Sequence, residues 1–151
     1  MAIYLNNLVK VKLATAAAPT TPSIDISDHV SAVTITQTFD ELEVTAMGDT
    51  AHKFAAGLQA ATLTIDLFND RATSQVMQTL NAAAGTTLAV SMITGTGSAP
   101  TTVSAANPTY QFSILVNNLT PVGNGGVADE AASSLSFTIN TALTVSSTVV
   151  Y

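Results

Sequence analysis

The residues able to bind or catalyse lie mainly in two polar stretches, SIDISDHV at 23–30 and GDTAH at 48–52, which together hold Asp25, Asp28, His29, Asp49 and His52. Carboxylates and imidazoles are the donor set of a divalent cation site. Their spacing, however, follows neither His-Glu-x-x-His nor the calcium-loop pattern, the arrangements that impose a coordination geometry. Loop aspartates commonly accept hydrogen bonds from nearby backbone amides instead. That is the use expected here, with no metal and no other cofactor.

Nucleophilic catalysis needs a hydroxyl beside a histidine that an acid orients. Serine and threonine abound, but there are two histidines and no Gly-x-Ser-x-Gly turn. The glycine clusters GTGSAP at 95–100 and GNGGVA at 123–128 lack the lysine and the following helix of a phosphate loop, so both read as hairpin connections. Asn118-Leu119-Thr120 fits a glycosylation sequon by spacing and reads as a turn. No catalytic residue is assigned, and no enzymatic activity is expected.

Ten acids face four bases, Lys10, Lys12, Lys53 and Arg71, for a net charge of −6. Proteins that hold nucleic acid neutralise phosphates with clustered Lys and Arg, and these four cannot build such a patch. Charged residues are 9% of the chain, against about 25% in ordinary soluble proteins. So neutral a surface is poorly protected against association, and much of it is expected to be buried against neighbours. With no cysteine, disulfides and thiolate zinc sites are excluded. No apolar run reaches the roughly 18 residues of a membrane-spanning helix. The lysines of MAIYLNNLVKVKLATAAA lie inside or after its apolar part, unlike those of a secretory signal.

The elements that must position these residues are mostly strands. The 151 residues suit one domain. Ile3, Leu5, Val9, Val11 and Leu13 alternate loosely as an N-terminal strand or arm, followed by a breaker-rich linker AAAPTTPS at 16–23 that Pro19 and Pro22 keep from being helical. From Val30, apolar Val33, Ile35 and Phe39 alternate with Thr34, Thr36 and Thr38, a strand with one wet face. Apolar parity then slips to Leu42, Val44 and Ala46, which places a turn or bulge near Asp40-Glu41. The stretch 47–58 shows no period and reads as a long loop. Leu63, Ile65 and Leu67 face one way, with Thr62, Thr64 and Asp66 on the other parity. Asn69 or Asp70 is a plausible N-cap for one helix at about 70–83, with Ala72, Val76, Leu80 and Ala83 at helical spacing and Gly85 as its stop. Three more alternating segments, around Leu88–Met92, Tyr110–Val116 and Leu135–Ile139, and a β-prone tail complete seven or eight strands. The fold class is therefore mainly β, an antiparallel β-sandwich or barrel with one flanking α-helix. The expected divisions are an arm and linker at 1–23, a β-sandwich at 24–141 and a C-terminal arm at 142–151.

The segments DISDHV, VTITQTFDELEVTAMGDTAHKF, AAGL and TLTIDLFND, and later SAANPTYQFSILV with its Pro-Val-Gly and Gly-Gly-Val-Ala-Asp turns, resemble the major tail, or tail tube, proteins of long-tailed actinobacteriophages. The resemblance spans about 24–145. It implies a β-sandwich subunit that forms hexameric rings whose sheets merge into one inner barrel, stacked into a tube that passes DNA without binding it specifically. It also implies no cofactor, a tail leaning to the non-contractile kind, a place in the virion after assembly in the bacterial host cytoplasm, and partners such as the tape measure and tail terminator. On this view Asp40, Glu41, Glu43 and Asp66 are candidate lumen-facing acids. Ile3, Leu5, Val9 and Val11, with Val145, Val149 and Tyr151, are candidate inter-subunit arms. Two alternatives remain, a capsid decoration or cement protein and a β-sandwich carbohydrate-binding or adhesin module. The second lacks its usual aromatic platform, since there is no Trp.

Overall fold

The computed structural model describes residues 8–70, 75–95, 102–122, 131–148 and 151. It contains β1 (Lys10–Thr15), β2 (Ala18–Asp25), a 3-10 turn (Ser27–His29), β3 (Val30–Glu43), β4 (Phe54–Phe68), α1 (Val76–Ala82), β5 (Thr87–Ile93), β6 (Thr109–Leu115), β7 (Ala132–Ile139) and β8 (Thr144–Ser146). All strand pairs are antiparallel, in the order β2-β1-β5-β6-β7-β4-β3. The sheet is mainly β and open, sandwich-like rather than a closed barrel.

The sheet forks at β6. Its first residues pair with β8, through Thr109↔Ser146 and Tyr110↔Val145. Its last two pair with β7, through Ile114↔Ile139 and Leu115↔Thr138. The halves on either side share one core: Val11 and Leu13 of β1 and Val90 of β5 join Leu63 and Ile65 of β4 and Leu135 and Phe137 of β7. Val76, Met77 and Leu80 of α1 close it from the side. The two-residue period that forms these strands is clearest in β7, where every second residue is buried. Each large aliphatic or aromatic side chain removed from water this way contributes roughly 1.5–3 kcal/mol.

Several expectations are revised. The segment expected as a linker at 16–23 is a turn followed by β2, paired through Leu13↔Ile24 and Lys12↔Asp25. An edge strand needs donors on one side only, so it tolerates Pro19 and Pro22. The described part of the expected N-terminal arm is an internal strand: Val11 is fully buried and paired with Met92, and Val9 packs against the core. Ile3 and Leu5 lie outside the described residues. At the other end, Val145 sits in β8 opposite Tyr110, and Tyr151 folds back so that Lys12 Nζ lies 4.2 Å above its ring. Val149 lies outside the described residues.

The helix is shorter in its described part than 70–83. Residues 71–74, including Ala72, lie outside the described residues. Gln75 occupies the N-cap without a side-chain bond, in place of Asn69 or Asp70. Asn69 instead donates from Nδ2 to Ser133 Oγ at 2.9 Å, and the Asp70 carbonyl accepts from Met77 N at 3.1 Å. The helix ends at Ala82 with Ala83 as its C-cap, and Gly85, at φ 78°, takes the left-handed conformation that favours glycine in the turn leading to β5.

Candidate functional site

β3 and β4 form a hairpin longer than the body that holds it. β7 accompanies β4 only as far as Ala61↔Ile139. From there to Phe54 the hairpin is a two-stranded ribbon projecting about 20 Å at the usual rise per residue. The expected loop at 47–58 is thus half strand: β4 begins at Phe54. Its period was hidden because no core lies under either face there.

The expected irregularity near 40–41 is present, between Phe39↔Gln59 and Glu41↔Ala56. Three steps along β4 match two along β3, so the extra residue belongs to β4, and Gly57 and Leu58 together oppose Asp40. A Cβ on Gly57 would stand 3.0 Å from Asp40 Cβ and 3.2 Å from its carbonyl oxygen, which accounts for glycine at this close approach. Because β3 itself has no insertion there, Leu42 shares the face of Asp40 rather than that of Phe39.

The tip is tied by short-range polar contacts. Asp49 Oδ2 accepts from Ala46 N at 2.8 Å, and its other oxygen is ion-paired with Lys53. Lys53 and the Ala46 amide hold this carboxyl below its usual range. Glu43 accepts from His52 Nδ1 at 2.6 Å and Thr45 Oγ1 at 2.8 Å, and these bonds likewise hold it low. His52 stacks on Phe54 at 6.3 Å between centroids. At the opposite end of β3, Asp25 accepts from Ser27 N at 3.0 Å, and His29 meets Asp28 and Asp70. The five residues of the two polar stretches therefore form two groups about one 14-residue strand apart, roughly 45 Å. Among the described residues no cluster of three such side chains is arranged to hold a metal ion, and neither histidine bonds a hydroxyl.

The face of β3, β4 and β7 turned away from the core is a hydroxyl lattice. Thr34, Thr64 and Ser136 form one row across the three strands, and Thr36, Thr62 and Thr138 the next. All six are exposed, and the three strands carry no Lys or Arg. A third row is Ala32, Asp66 and Ser134, where Asp66 Oδ1 is buried with no hydrogen-bond partner. Parity puts Asp40 on this face too, about 26 Å along the strand from Asp66. Glu41 and Glu43 fall on the opposite face, so the four candidate acids are not one cluster.

Six of the large exposed apolar side chains belong to the hairpin: Phe39, Leu42, Val44, Met47, Phe54 and Leu58. Both faces bear them, Leu42 and Leu58 beside Asp40, Phe39 and Phe54 beside Glu41 and Glu43. Both edges are also open. Among the described residues no strand pairs with the outer edge of β3, and only β3 pairs with Phe54–Ala60 of β4. At the root, Leu58, Gln59 and residues 139–142 line a shallow groove of about 400 Å³, where Gln59 Nε2 lacks a partner. Among the described residues, no helix is long and apolar enough to cross a membrane. Compared with protein-family models and with curated proteins, the chain matches none.

Proposed function

We propose that this chain is a structural subunit of a phage tail tube, self-assembling into stacked rings around a channel that passes DNA. The observation that carries the reading is a base-free hydroxyl face continuing into a projecting ribbon with apolar side chains on both faces. A conduit must not retain DNA. Phosphates are held by Lys and Arg, and with a screening length of about 8 Å only charges close to the wall act on the passing duplex. Rows of Thr and Ser with Asp40 and Asp66 meet that requirement. Glu41 and Glu43, on the other side of the ribbon, fit contacts between subunits better than the lumen.

Assembly is favoured by the same hairpin. A contiguous apolar surface on a projecting element marks an interaction site, and open strand edges are stable when a neighbour's strand covers them. Acids on both faces suit protein partners rather than lipid. The resemblance of 24–145 to tail tube proteins supplies the remainder of the reading: six-fold rings, a place in the virion tail, and tape measure and terminator proteins as neighbours.

Negative-stain microscopy of the concentrated protein tests this. Tubes or six-fold rings with a central channel are expected. Trimers that bind only capsids, or a monomer at every concentration, would overturn it. Thr64→Lys should leave tubes intact and make them retain DNA; a tube indifferent to this change has its lumen elsewhere.

A further inference from the structure

We propose that His29 is a proton-dependent clasp closing the inner end of the β3–β4 hairpin, where its two strands join the body. His29 immediately precedes β3, and Asp70 lies two residues beyond β4, so one side chain spans the two chain ends of the β3–β4 hairpin. Its Nδ1 lies 2.8 Å from Asp28 Oδ1, and its Nε2 lies 3.0 Å from Asp70 Oδ2. An ionised carboxylate can only accept, and a neutral imidazole donates from one nitrogen alone. Satisfying both contacts therefore requires the imidazolium. Among the described residues His52, the other histidine, meets a carboxylate at Nδ1 alone.

The clasp reaches further through the main chain, because the Asp70 carbonyl accepts the Met77 amide at the start of α1. The 3-10 turn and the segment after β4 thus meet at one titratable side chain, and the main chain of that segment holds the start of the helix. Among the described residues, the charged groups facing it are Asp28 from its own turn and Asp70 from beyond β4; Asp25 is turned to Ser27. Burial of the ring opposes its charge, but the hydrogen bonds and charges of Asp28 and Asp70 outweigh this and raise the imidazole above its ordinary 6.5. Stabilisation from a raised base is fully present below 6.5 and is lost as pH rises through the higher folded value.

Hydrogen-exchange mass spectrometry on the full chain from pH 6 to 9 tests the clasp, with β5 amides as the internal reference for intrinsic rates. In the wild type, exchange across 30–38 relative to β5 should rise about threefold to tenfold with increasing pH, the range a partly exposed charged hydrogen bond supplies. His29→Gln and Asp70→Asn should each show the raised level at every pH, while His52→Gln keeps the wild-type transition. A wild-type ratio flat with pH, or a transition that persists in folded His29→Gln or Asp70→Asn or vanishes in His52→Gln, would overturn the proposal. The wild-type and His52→Gln profiles decide it even if His29→Gln does not fold.

Discussion

Replacing Leu42 and Leu58 with Ser separates assembly from folding. The two side chains share a face across the Gly57 step and are 54% and 81% exposed in the single chain. Full burial of a leucine is worth roughly 2 kcal/mol, so a partner covering the exposed parts would gain about 1.1 kcal/mol from Leu42 and about 1.6 kcal/mol from Leu58. Their joint loss, about 2.7 kcal/mol, is about a hundredfold in association constant at 1.4 kcal/mol per factor of ten. The fold should barely respond, because exposed substitutions away from special features stay within about 0.5 kcal/mol. Sedimentation velocity over a concentration series measures the first effect and urea denaturation of the dissociated chain the second. Association as tight as wild type would refute the reasoning. So would a loss of several kcal/mol in folding, which would mean that the ribbon packs on its own body.

Gly57→Val should distort the ribbon, since its Cβ would press on the Asp40 side chain and carbonyl; faster exchange of hairpin amides with unchanged exchange in β5 is the expected signature. Phe137→Ala, in the middle of the core at 1% exposure, should cost about 3–5 kcal/mol in chemical denaturation. Acidification should loosen the tip. Glu43 and Asp49 are both held below their ordinary values, so their contribution is present above roughly pH 4.5 and is lost as pH falls through the lower folded values. Exchange at 44–53 should therefore rise below that pH, and a pH-independent tip would contradict the assigned bonds.

The strands bordering the core were legible because burial on one face writes a two-residue period, as in Leu63, Ile65 and Leu67. β2 was hidden by its prolines, which exclude a helix but not an edge strand. The outer part of β4 was hidden for the opposite reason: Phe54 and Leu58 have water on both sides, and nothing there selects a period. The parity slip at Asp40 pointed to the right place, but a slip in one strand cannot say that its partner holds the extra residue. Hydroxyls were visible along each strand. Their alignment into rows depends on the register among three strands distant in sequence. The His29–Asp70 contact joins residues 41 apart with no local pattern to announce it.

The two prolines of β2 bear on how copies of the chain can meet edge to edge. A seven-stranded path ending in two equally receptive edges could polymerise side by side without limit, in the manner of a cross-β fibre. Here one terminal strand lacks two amide donors and the other is intact. Lateral growth is then directional, and two copies meeting by their β2 edges make a defective ladder. An encounter through the β2 edge is therefore weaker than one through β3.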